Sequence, residues 1–214
     1  MPVIVHLVGG ELSRTVEESL DEVNEILNNP NLSASTIENP NKVQTYISLY
    51  PASVDTLGNL LPTPGLNSIP LSQAKNLDLE FLTDLARENY WDPNKYINIY
   101  LVDGDYSELT GGEFNPAGWA NFASSLTVET PGLNTISSEP NQIIFNAIFQ
   151  NNNMSGDVIA HEFGHLLNLH HNFSQACLLF GDYLEDTYSY QREGFTALNN
   201  CNASYPLINS NVMD

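Results

Sequence analysis

Residues 161–171 read HEFGHLLNLHH and hold four of the chain's five histidines. His161 and His165 are four positions apart, so on a helix they project from one face, one turn apart, close enough to share a metal ion. Zinc accepts imidazole nitrogen in tetrahedral geometry, and a catalytic site uses three protein ligands and one open position. His171 is the expected third ligand, provided that the helix ends and the chain turns back. Asn168 is where that turn is expected, because Asn tolerates the left-handed backbone conformation better than any residue except Gly. Glu162 is expected to face water rather than metal. Zinc lowers the pKa of a coordinated water from about 15.7 toward about 7, and Glu162 would act as the general base that takes its proton. His170 misses the long three-histidine spacing by one residue and is read as a supporting or surface residue. No cysteine lies within the segment, which argues against a closed structural zinc site.

The rest of the chain supplies a scaffold for such a helix. Val3–Val8 reads as a strand. Leu12–Leu27 has apolar residues at Val16, Leu20, Val23, Ile26 and Leu27, the spacing of one helical face, and Asn28-Asn29-Pro30 stops it. A strand is expected over Val43–Leu49, a helix over Leu77–Tyr90 ended by Trp91-Asp92-Pro93, and a central strand over Tyr96–Val102. Trp119–Phe122 reads as a short strand, and Gln142–Phe149 as a strand or helix start. Asp157 stands where a helix N-cap belongs, with the helix running from Val158 to about Leu167. From there to Asp214 the sequence reads as loop. The expected fold class is α+β: a twisted, mostly parallel sheet with two long helices, the second carrying HEFGH, and an irregular C-terminal subdomain. One domain is expected over 1–214, with an N-terminal lobe at 1–171 and the C-terminal subdomain at 172–214.

Twenty-six acidic against six basic residues give a formal charge of −20. That balance argues against nucleic acid and anionic membrane surfaces, which reward clustered Lys and Arg. No stretch reaches the roughly 18 apolar residues that span a bilayer, so no membrane insertion is expected. MPVIVHLVGG lacks a basic n-region and a cleavage site, and reads as a strand rather than a signal peptide. Cys177 and Cys201 fit one disulfide in an oxidising compartment, or equally two buried thiols.

The motifs together resemble the pappalysin (cytophagalysin-like) branch of the metzincin zinc metalloproteases. MPVIVHLVGG is similar to that family's opening strand, EVNEILNN to the end of its first helix, and YWDPNKYINIYLVDG to its W-P-x-x-Y-x-N-I stretch. GWANF resembles its G-x-A-x-F segment, HEFGHLLNLHH its zinc motif, GDYLEDTYSY its G-D-x-V-x-D-T-P region, and NVMD its Met-turn. The resemblance implies a metzincin-like zincin domain that cleaves internal peptide bonds of proteins or peptides, with Zn²⁺ at His161, His165 and His171. It implies Met213 as an apolar floor beneath the metal and a disulfide between Cys177 and Cys201. It also implies calcium at Asp182, Asp186 and Thr187, with Glu185 beside them; oxygen-rich groups suit Ca²⁺ chemically. Substrate would lie as an extended strand along Gly118, Trp119 and Ala120. A secreted protein is implied, its leader preceding this numbering. Two departures stand out: Tyr188 replaces the Pro after Asp-Thr, and the sequence stops at Asp214, before the Tyr and C-terminal helix of the family. The alternative expectation is therefore a catalytically impaired zinc- and calcium-binding fragment or binding module of the same fold.

Overall fold

The computed structural model describes residues 1–28, 45–70, 84–85, 88–92, 94–102, 119–120, 145–146, 154–167, 169, 173–174, 190–193 and 197–200. Strand β1 (Pro2–Val8) is buried almost throughout and is an interior strand of the main sheet. It pairs in parallel with β2 (Tyr50–Pro51) and β3 (Leu66–Ile69) on one side and with β4 (Ile97–Val102) on the other. Beyond β4 comes β6 (Phe145–Asn146), parallel, and then β5 (Trp119–Ala120), antiparallel to β6 at the end of the strand order. A sheet buried on both faces has nearly continuous apolar strands, and PVIVHLV is one.

The period of two along each strand decides which face the helices cover. Val3, Val5 and Leu7 of β1 and Ile97, Ile99 and Leu101 of β4 share one cluster with Val16, Leu20 and Val23 of α1 (Val16–Asn28) and with Ile159, Ala160, Phe163 and Leu166 of α2 (Gly156–Leu166). Both helices therefore pack on the same side of the sheet. The alternate positions carry His6, Asn98 and Tyr100, which make a polar and aromatic layer on the other side. Asn98 receives the Trp91 N–H at Oδ1 (2.7 Å) and donates from Nδ2 to the Trp91 carbonyl (2.9 Å), which fixes its amide orientation. His6 must then donate from Nε2 to Asn98 Oδ1 (2.9 Å) and accept from Asn67 at Nδ1 (2.9 Å). The ring is a neutral imidazole stacked 4.5 Å from Tyr100, and burial lowers its pKa to about 4.

Several expected boundaries move for local reasons. Helix α1 begins at Val16, not near Leu12, because Thr15 and Glu18 form a capping box: Glu18 N–H donates to Thr15 Oγ1 (3.2 Å), and Thr15 N–H to Glu18 Oε2 (2.8 Å). Thr45–Leu49 is not a strand. Its polar backbone is taken up by α1 side chains instead: Asn24 exchanges two 2.7 Å bonds with the Leu49 N–H and C=O, and Asn28 donates to the Ile47 carbonyl. Sheet pairing starts one residue later, at Tyr50. Asp84, Leu85, Glu88 and Asn89 are helical as expected, the rest of Leu77–Arg87 lying outside the described residues. The N-cap of α2 is Ser155, with Asp157 already inside the first turn. The C-terminal part is not wholly irregular: β7 (Phe173–Ser174), β8 (Tyr190–Glu193) and β9 (Ala197–Asn200) form a second, three-stranded sheet. No described helix is long and apolar enough to cross a membrane.

Candidate active site

Helix α2 turns about 100° per residue, so its faces can be read directly. Ile159, Ala160, Phe163 and Leu166 fall on one stripe and enter the core. His161 and His165 fall on another, and their rings meet edge to face with centroids 4.9 Å apart. Between the two stripes lies Glu162, only 5% exposed, so its side chain is enclosed by protein although it carries a carboxyl group. Its Oε2 is buried without a hydrogen-bond partner among the described residues. Burial pushes this carboxyl up from 4.5 to about 7, since enclosure penalises the charged form.

The end of α2 orients the second histidine. Leu167 donates its N–H to the Phe163 carbonyl (3.0 Å), and Leu169 donates to the Gly164 carbonyl (2.9 Å), the long bond of a Schellman helix ending. That turn carries the Leu169 carbonyl to 2.8 Å from His165 Nδ1, which must donate to it. A neutral imidazole protonated at Nδ1 keeps its lone pair on Nε2, so the turn selects which nitrogen of His165 can ligate. The sequence offers no sign of this contact, because every residue has a carbonyl and only the turn decides where it points.

These groups fit a divalent cation. Two imidazoles one turn apart, one with its tautomer fixed, and an enclosed carboxylate oxygen in need of a partner form the kind of donor set that zinc accepts beside a general base. Among the described residues no three metal-ligating side chains come together. His171, the expected third ligand, lies outside the described residues, as do Asn168 and His170. So do Gly118, Cys177, Asp182, Glu185, Asp186, Thr187, Cys201 and Met213. The backbone of Trp119 and Ala120 is described: it forms the edge strand β5, which runs beside α2.

A profile of the peptidase family described as pregnancy-associated plasma protein-A (Peptidase_M43) matches residues 81–214, well over half of the chain. The chain belongs to this pappalysin family. It is accordingly a metalloprotease, as the zinc-like motif and the resemblance in the sequence lead one to expect. Among solved structures, mature mirolysin of Tannerella forsythia, determined with a cleaved peptide, has a similar fold. The TM-score is 0.58 over 88% of this chain and 71% of that one, at 19% identity. No curated protein matches the chain. The pappalysin match begins at residue 81 and so takes in β4, the edge strand β5 and the whole of α2, while β1 and α1 precede it.

Proposed function

We propose that this pappalysin is a zinc-dependent endopeptidase in which Glu162 is the general base and His161, His165 and His171 hold the metal. The observation that carries this is the pairing, on one helix, of two histidines one turn apart with an enclosed carboxyl whose Oε2 has no described partner. A zinc ion held there would supply Lewis acidity, polarising the scissile carbonyl and making an attacking water more acidic. Glu162 Oε2 takes one proton from that water as its oxygen bonds to the carbonyl carbon. The same oxygen then hands the proton to the amide nitrogen as the C–N bond breaks, so the carboxyl group ends as it began.

Substrate lies in this reading as an extended strand along β5, which ends the strand order and runs beside α2. An edge offers unpaired backbone groups to a peptide, and pairing through backbone bonds accepts many side chains. Calcium at Asp182, Asp186 and Thr187, the Met213 floor, the Cys177–Cys201 disulfide and secretion belong to the same proposal and rest on the sequence alone. Glu162→Gln tests the general base. It should keep one zinc per chain and lose casein cleavage by roughly 10²–10⁴-fold; a variant that retains most of its turnover refutes the assignment.

A further inference from the structure

The N-cap residue of helix α2 makes no side-chain capping bond. Ser155 is its N-cap in extended conformation, yet the Ser155 hydroxyl donates to the Asp157 side chain and caps no backbone N–H of the helix. The first N–H of the helix, on Gly156, is met from elsewhere. Glu22, on α1 and 134 positions earlier in the chain, accepts it at Oε2 over 3.0 Å. The Glu22 carboxylate is in turn gripped on both oxygens by one guanidinium, with Arg14 Nη1 2.9 Å from Oε2 and Nη2 2.6 Å from Oε1. Arg14 Nη1 also reaches the Met154 carbonyl, just ahead of α2, at 3.5 Å. Two-pronged pairing of this kind fixes direction as well as distance.

Gly156 shows how close the approach is. A Cβ at this position would lie 2.3 Å from Glu22 Cβ and 2.9 Å from Glu22 Oε2, so only Gly lets the start of α2 sit against α1 here. The hydrogen bond from Arg14 holds the Glu22 carboxyl below the usual carboxylate range, so it meets the positive end of α2 as an anion. His161 follows Gly156 by five residues, within one and a half turns, and an α-helix transmits displacement of its first turn as a nearly rigid rod.

We propose that Glu22, aimed by Arg14, is a positioning residue for the catalytic helix: it caps α2 from the neighbouring helix and sets the placement of His161, Glu162 and His165. The proposal rests on the zinc-peptidase reading and adds to it a control point outside the site. Glu22 and its partner are partly exposed, with side chains 47% and 24% accessible. An exposed ion pair contributes little to global stability. The signature of a positioning role is therefore a loss at the metal site without a matching loss of fold.

The test compares the full chain with Glu22→Gln, Glu22→Asp, Arg14→Met and the exchange Arg14→Glu/Glu22→Arg. Zinc dissociation constants are measured by competition with a chromophoric chelator, and melting of the zinc-free forms is measured alongside. Glu22→Gln and Arg14→Met should weaken zinc roughly tenfold with the zinc-free melting temperature nearly unchanged, because small misplacements of reacting groups are costly. Glu22→Asp should recover part of the affinity. The exchange remakes an ion pair but puts a cation at the positive end of α2, so its zinc affinity should stay low. Parental zinc affinity in Glu22→Gln, or affinity restored by the exchange, overturns the positioning role alone. Losses of zinc that merely track losses of melting temperature across the set also overturn it. If the parent chain takes up no zinc, the metallopeptidase site as drawn fails, and the positioning role with it.

Discussion

A carboxyl oxygen enclosed by protein without a hydrogen-bond partner destabilises the fold that carries it, and Glu162 Oε2 has none among the described residues. Its folded pKa of about 7 lies above the 4.5 of the free group, so the native chain holds a proton that the unfolded chain has released. The penalty is absent below the unfolded value and complete above the folded one. Metal-free Glu162→Gln should consequently be more stable than the parent by roughly 1–3 kcal/mol at pH 8, with the gain vanishing near pH 4. Chemical denaturation of chelator-treated protein at the two pH values measures it. His6 has the opposite sign, because its folded pKa is lowered from 6.5 to about 4. The neutral ring contributes stability that is present above 6.5 and lost as pH falls toward 4. Relative to His6→Gln, the parent should lose up to roughly 3 kcal/mol between pH 7 and pH 4; a difference that does not change with pH would contradict the neutral buried ring. At this scale the sequence was informative only where spacing encodes geometry. The i, i+4 pair His161 and His165 and the Glu162 between them were legible, whereas the Leu169 carbonyl and the Glu22–Gly156 contact depend on how the chain folds back.

Among the elements, α1 has three roles, and each depends on a different side of it. Val16, Leu20 and Val23 bury against the sheet, Glu22 meets α2, and Asn24 and Asn28 hold the returning segment at Ile47 and Leu49. The apolar spacing announced the first of these, and the Asn side chains hid the third by supplying the bonds that a strand would have made with its neighbours. Asn24→Ala leaves both backbone groups of the buried Leu49 without partners. It should cost on the order of 1–3 kcal/mol, read from the urea midpoint, with zinc uptake unchanged. An unchanged midpoint would mean that Leu49 finds other partners. The start of α1 was within reach of sequence reasoning, since Thr15 and Glu18 have the spacing of a capping box. Strands β7 to β9 were not, because two to four residues such as YQRE and ALNN show no sustained alternation, and cross-strand partners hold them.

At the scale of the whole molecule, the sheet gives α2 its floor. β1 and β4 present one apolar face to both helices, and the edge strand β5 runs beside the helix that carries the histidines. The parallel core was legible from the continuous apolar runs of β1 and β4, and the family from motifs spread along the chain, as the match over residues 81–214 bears out. The strand order was not, because it depends on pairings between distant segments. The HEFGH helix is proposed to bind zinc in order to cut peptide bonds. The measurement that tests this most directly is zinc content and casein cleavage on one purified sample, before and after a zinc-selective chelator. One zinc per chain with cleavage that stops on chelation and returns on zinc addition is the predicted result. A chain that takes up no zinc, or cleavage that continues undiminished after zinc is removed, would contradict it.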